Sequence, residues 1–262
     1  KFYKNRGINF IMTYKFRINF IKAWLVHILT CTGLIAGFLS LTYIFKNDQK
    51  SAFICLGIAL IIDAIDGTLA RKLNVSKYVE NIDGKMLDSV IDFFNYIIIP
   101  SIMIFWFNIV PISFVILIPL IILIISAISY SNLNLMTSEN FYKGFPCIWN
   151  ILLLYLYFFE FNQIVNLIII SACIVLKFIP IKYLHPLRVK KLKIYSIIFM
   201  ILWFVSSFKI LTTSFYIIEN NFDLLFLSIW VISNIYFISL TFYEILVDIY
   251  KAISIKINNH EF

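Results

Sequence analysis

Charge is scarce in this chain. Of 262 residues, 14% are charged and 61% are hydrophobic, and the mean hydropathy is +0.92. Soluble domains carry about 25% charged residues, so an ordinary soluble fold is excluded and an integral membrane protein is expected. Acid is scarcer than base, 14 residues against 22, which leaves a net charge of +8. In a soluble protein that excess would favour nucleic acid. Here it points to cytoplasmic loops facing anionic lipid and an anionic substrate, with no nucleic-acid partner. Cysteine is limited to Cys31, Cys55, Cys147 and Cys173. All four lie in apolar stretches and none forms a CxxC or metal-ligand spacing, so they read as reduced small hydrophobes. Seven glycines and six prolines leave no Gly/Ser linker, and there is no low-complexity tail or internal repeat. One polytopic domain over 23–250 is expected, preceded by a basic segment, 1–22, and followed by a short tail, 251–262. Residues 1–11 precede the first methionine, Met12, and read as an upstream extension; no cleavable signal peptide is visible. The abundance of Ile, Phe, Asn and Lys matches an AT-rich genome, so the aromatic excess carries little functional weight.

Long apolar runs are what the chain does have. A spanning helix needs about 20 apolar residues. Eight candidates follow, at 23–45, 51–70, 86–107, 111–130, 147–160, 163–180, 194–213 and 224–249. With a cytoplasmic N-terminus, 19 of the 22 basic residues fall inside and only Lys46, Lys50 and Lys209 outside. The positive-inside rule therefore favours an all-α, multi-pass bundle of about eight helices with both termini cytoplasmic.

The chain has eight aspartates, and five of them lie in IIDAIDGTLARKLNVSKYVENIDGKMLDSVIDFF, residues 61–94; four of these, Asp63, Asp66, Asp88 and Asp92, fall on its apolar segments. A carboxylate at membrane depth is costly unless it lines a polar cavity, pairs with a cation or binds metal. Asp63 and Asp66 are i, i+3, and Asp88 and Asp92 are i, i+4, so each pair shares a helix face. Two antiparallel helices would turn these faces together and converge four carboxylates. No His or Cys accompanies them, so Mg²⁺ or Mn²⁺ suits the set better than Zn²⁺. Gly67 and Gly84 leave room for a bulky group, and Arg71 has the fork that grips phosphate. Taken singly, Arg71 is a positive-inside anchor and one membrane Asp a packing residue; the joint pattern suits a metal-bound diphosphate.

These residues resemble the signature of the CDP-alcohol phosphatidyltransferase family, D-x2-D-G-x2-A-R, a spacer, then G-x3-D-x3-D. Asp63, Asp66, Gly67, Ala70, Arg71, Gly84, Asp88 and Asp92 stand in its eight places. The spacer, 72–83, is twelve residues where eight or nine is usual, which resembles the choline-using bacterial branch. AWLVHILTCTG at 23–33, ENFYKGFPCIWN at 139–150 and FIPIKYLHPLR at 178–188 resemble the same branch.

The resemblance implies a six-helix membrane core, here plus two helices. It implies an active site open to the cytoplasm, in a bacterial inner membrane, and a homodimer. It implies Asp63, Asp66 and Asp88 as metal ligands, with Asp92 as general base and further ligand. Gly67, Ala70, Arg71 and Gly84 would line the CDP-diphosphate site. The substrates implied are CDP-diacylglycerol and choline, with membrane lipid around them. Quaternary ammonium groups are held by aromatic faces, which makes Phe141, Tyr142, Phe145 and Trp149 candidates for a choline cage, against an ordinary role as interfacial anchors. A sister reaction on serine, inositol phosphate or glycerol phosphate is the alternative, and a cation transporter a remote one that would want an inverted repeat.

Other polar residues read more plainly. His27 is a hydrogen-bonded packing residue or touches a headgroup. His185 lies in a basic loop, 177–193. Glu80, Asp83, Glu160, Glu219 and Asp223 are solvated loop charges, Glu244 and Asp248 a polar helix end. Asn150 and Asn234 are expected to bond across helices.

Overall fold

A computed structural model describes residues 2–132, 142–179, 182–183, 193–213 and 220–258. Helices dominate: α1 (Phe2–Phe45), α2 (Gln49–Leu73), α3 (Val75–Tyr78), α4 (Gly84–Phe93), α5 (Ile99–Trp106), α6 (Leu117–Tyr130), α7 (Trp149–Phe159), α8 (Gln163–Phe178), α9 (Lys193–Thr213) and α10 (Asn221–Asn258). A π-helical turn, Phe94–Ile98, joins α4 to α5. Tyr142–Lys143 and Lys182–Tyr183 form a two-residue antiparallel pair. The expected positions Phe141, His185 and Glu219 lie outside the described residues, as do the side chains of Tyr142, Glu244 and Asp248.

Among the described residues, six helical segments are long and apolar enough to cross a membrane: Tyr14–Phe45, Gln49–Leu73, Gly84–Trp106, Ile112–Tyr130, Ile194–Thr213 and Asn221–Val247. Helices α7 and α8, expected as further spans, have 11 and 16 residues. At 1.5 Å per residue they reach only about 16 and 24 Å, short of a hydrocarbon core of about 30 Å. The structure thus supports a multi-pass helical membrane protein with six long spans and two short apolar helices.

The chain divides into two compact units, one ending at Trp106 and the other beginning at Phe107. In the first, α1 and α2 form a hairpin around a three-residue turn. Asp48 starts α2, its side chain accepting from Ser51 N at 2.9 Å. The Ser40 hydroxyl crosses to the Ala52 carbonyl at 3.0 Å. Phe38, Ile58, Ile61 and Ile65 stay exposed, as lipid-facing side chains do when the solvent is itself apolar. Asn74 takes a left-handed conformation and closes α2, its N–H bonding the Ala70 and Arg71 carbonyls. Asp83 then opens α4, its Oδ1 accepting from Lys85 N at 2.9 Å and Met86 N at 3.2 Å. Asp83 is therefore a helix cap rather than only a solvated charge, and it sets where the helix bearing Asp88 and Asp92 begins.

The π turn is locked onto α1. Asn95 is buried and its Nδ2 donates to the Gly33 carbonyl at 3.2 Å. Gly37, one helical turn on, leaves the space that Asn95 fills: a Cβ there would run into Asn95 Oδ1 and meet Phe94 at 3.0 Å and Ile99 at 3.1 Å. Small residues at i, i+4 allow this close approach of backbones.

In the second unit, Tyr155 of α7 accepts from Trp203 Nε1 at 2.9 Å and donates to Asn234 Oδ1 on α10. Asn234 thus bonds across helices as expected, while Asn150 Oδ1 is buried with no partner among the described residues. Trp230 packs on Tyr155, Phe158 and Phe159 and donates to Ser207 Oγ at 3.0 Å. Asp223, expected to be solvated, is ion-paired with Lys209 at 3.1 Å, which ties the start of α10 to α9. Glu160 is exposed, at the left-handed residue that ends α7.

Candidate active site

All eight signature residues fall in the first unit, on α2 and α4. Three carboxylates converge. Ligand oxygens of Asp63, Asp88 and Asp92 lie within 4.8 Å of one another, and all three residues are half-buried. Asp88 and Asp92 are one turn apart on α4, and Asp63 reaches them from α2. Opposite oxygens around Mg²⁺ at 2.0–2.1 Å stand about 4 Å apart, so this set fits a hard cation with slight closure. The donors are all oxygen, as Mg²⁺ or Mn²⁺ prefers.

Asp66 does not join that group. At about 100° per residue, i and i+3 diverge by roughly 60° around the helix axis. That divergence aims Asp63 at α4 and Asp66 at α1. Asp66 is 3% exposed and lies within hydrogen-bond reach of the Thr30 hydroxyl. Thr30 has one proton for two acceptors, the other being the Val26 carbonyl at 3.1 Å. Thr30, which sequence reasoning did not single out, is the polar group that Asp66 meets on α1; its signal in the sequence was its place inside AWLVHILTCTG.

The remaining signature residues separate into two roles. Gly67 is open: a Cβ there would meet only Arg71 Nη1, at 3.5 Å. Arg71 is exposed, its Nη2 within 3.4 Å of the Thr68 hydroxyl, so the guanidinium is available above Gly67. Ala70 packs instead against an apolar cluster of Ala23, Val26, Val75 and Val79. Its small side chain brings α2 close to α1 and to the start of the loop. Gly84 faces His27: a Cβ would lie 3.2 Å from His27 Cε1. His27 is buried, and its Nε2 has no partner among the described residues.

The aromatic candidates lie in the second unit. Phe145 and Trp149 pack on each other at 5.0 Å between centroids. Trp149 is fully buried and its Nε1 donates to Ser126 Oγ at 3.0 Å. Lys177 Nζ reaches the Phe145 carbonyl at 2.7 Å. Both rings are core residues here, without an open face.

Two apolar helices that bring three carboxylates together, one of them also carrying an open glycine and an exposed arginine, make an arrangement suited to a phosphorylated substrate. The chain belongs to the CDP-alcohol phosphatidyltransferase family, whose model matches residues 23–179. It is similar to the phosphatidylcholine synthase of Borreliella burgdorferi, 39% identical over 201 residues, covering 75% of this chain and 86% of that one. The phosphatidylcholine synthase of Pseudomonas aeruginosa is 36% identical over 190 residues, 72% of this chain and 80% of the other. That of Legionella pneumophila is 38% identical over 170 residues, 64% and 67%.

Proposed function

We propose that this chain transfers the phosphatidyl group of CDP-diacylglycerol to choline, giving phosphatidylcholine and CMP. The observation that carries this is the convergence of Asp63, Asp88 and Asp92 on the signature helices, in a family whose similar members are named phosphatidylcholine synthase.

Asp63, Asp88 and Asp92 would hold a divalent cation, Mn²⁺ or Mg²⁺, with Asp66 the fourth ligand that the signature implies. When bound, such an ion neutralises the diphosphate and stabilises the leaving CMP. The chain's own groups do the rest. Arg71 grips a phosphate oxygen over the clearance at Gly67. Gly84 lies against His27 at the mouth of α4. Asp92 accepts the choline hydroxyl proton as that oxygen attacks the phosphorus bearing diacylglycerol. The new P–O bond forms as the P–O bond to CMP breaks. The choline pocket is left unassigned, because the two described aromatic candidates are closed core residues.

The distribution of basic residues supports eight crossings by α7 and α8 together with the six long spans. It also supports cytoplasmic termini and an active site facing the cytoplasm of a bacterial inner membrane. A homodimer follows from the family resemblance. The test is purified protein with CDP-diacylglycerol and a panel of alcohols, reading CMP release. Choline is expected to support it, and serine, inositol, inositol phosphate and glycerol phosphate are not. Equal turnover with any of those four would overturn the choline assignment and leave the family intact.

A further inference from the structure

We infer that Tyr96 is a positioning residue for the metal site, its hydroxyl fixing the Asp63 carboxylate so that the remaining oxygen faces Asp88 and Asp92. The inference rests on the proposed metal site. Tyr96 Oη donates to Asp63 Oδ2 at 2.8 Å, across 33 residues of sequence. Tyr96 is buried, at 6% exposure, whereas Asp63 is half-buried. The bond therefore closes the inner side of the carboxylate and leaves its outer side to the cluster.

The backbone explains why Tyr96 can reach. In an uninterrupted α-helix Tyr96 would follow Asp88 and Asp92 at i+4 spacing and share their face. The π turn at Phe94–Ile98 widens the helix there, with Ile99 N bonding the Phe94 carbonyl. One residue is thereby taken up without advancing the turn, which changes the direction of Tyr96 relative to Asp88 and Asp92. Single π turns inside α-helices occur often at functional sites. This one is held on both sides. Asn95 pins it to Gly33 of α1, in the space left at Gly37, and Tyr96 pins it to Asp63 of α2. The hydroxyl is thus presented by a fixed backbone rather than by a mobile side chain. A metal-ligating carboxylate that is itself hydrogen-bonded keeps its orientation, and loss of such a partner typically costs about 10- to 100-fold in metal affinity or activity.

The test is Mn²⁺ binding by the purified full chain in detergent, titrated by electron paramagnetic resonance without lipid substrate. Wild type, Tyr96→Phe, Asp63→Asn and the double variant are compared, with metal-free thermal unfolding beside each. Phe keeps the ring and removes only the hydroxyl. Tyr96→Phe is expected to weaken Mn²⁺ binding by about 10- to 100-fold with metal-free unfolding unchanged. Asp63→Asn is expected to weaken it at least as much, and Tyr96→Phe to add nothing in the Asp63→Asn background. Wild-type affinity in Tyr96→Phe would overturn the inference while Asp63→Asn still supports the metal site. So would a full additive loss in the double variant, because the hydroxyl would then act elsewhere. Wild-type affinity in Asp63→Asn would overturn the metal site and the inference together.

Discussion

At the scale of single residues, the site separates side chains that act from side chains that pack. Asp92 belongs to the converged carboxylates. As the proposed general base, its loss should cut turnover by about 10²–10⁴-fold. Because Asp92 is also a proposed ligand, Asp92→Asn is expected to lose far more CMP release than donor affinity at saturating metal. Asp63→Asn, at a residue proposed only as a ligand, should weaken donor binding as well as turnover. Near-native turnover of Asp92→Asn at every pH would assign the base to another group. Gly67 offers a cleaner separation of substrate from fold. A Cβ at Gly67 makes only an ordinary contact with Arg71, and Ala for Gly within a helix typically stabilises by about 0.5–1 kcal/mol. Gly67→Ala should thus fold at least as well as wild type while losing CMP release through a raised donor KM. An unchanged KM would show that the clearance is not used by substrate.

At the scale of elements, two helix glycines with the same chemistry have opposite expectations. Gly37 is filled by Asn95, Phe94 and Ile99 of the π turn, whereas nothing stands within 4 Å of a Cβ on Gly57. Gly37→Ala should destabilise by about 1–3 kcal/mol, the range for overpacking. Gly57→Ala should stabilise by about 0.5–1 kcal/mol. Thermal unfolding in one detergent compares them, and equal shifts would show that α1 does not need the close approach. The cap of α2 carries a pH dependence. Hydrogen bonds from Ser51 hold the Asp48 carboxyl below its usual value. A lowered native pKa contributes stability that is fully present above the unfolded value and fades as pH falls through the native one. Acid below about pH 4 should therefore destabilise wild type more than Asp48→Ala, seen as converging unfolding temperatures. A constant gap between the two down to pH 2 would remove Asp48 from the account.

At the scale of the whole molecule, the carboxylate cluster lies on two of the apolar helical segments long enough to cross a membrane. Unneutralised acid is expensive there. Chelation with EDTA should abolish CMP release, and Mn²⁺ or Mg²⁺ should restore it. Full activity in chelator would contradict the metal site. The 19-to-3 division of basic residues expects the connection between α2 and α4, residues 74–83, on the cytoplasmic side. A cysteine placed at Lys77 in a variant lacking native thiols should resist a membrane-impermeant maleimide in intact cells and react in inverted vesicles. The reverse pattern would turn the orientation over.

Composition alone determined the membrane class, because few charges and long apolar runs leave no soluble alternative. The eight signature positions were legible because they are close in sequence and periodic on helices. The convergence of Asp63 with Asp88 and Asp92 followed from that periodicity; the departure of Asp66 from the group did not. Sequence spacing says that two side chains share a broad face, but not which neighbouring helix lies on each side of it. Helix rotation decided that, sending Asp66 to Thr30 and Ala70 into the apolar cluster. Asp83 as a helix cap, Asn95 against Gly33 and Tyr96 on Asp63 were equally invisible. The first needs the loop conformation, and the other two cross 62 and 33 residues of sequence through a π turn that breaks the α period. The burial of Phe145 and Trp149 could not be read from the aromatic segment, since only packing decides whether a ring keeps an open face. Chemistry that repeats along one helix was written in the sequence; chemistry made by contact between helices was decided by the fold.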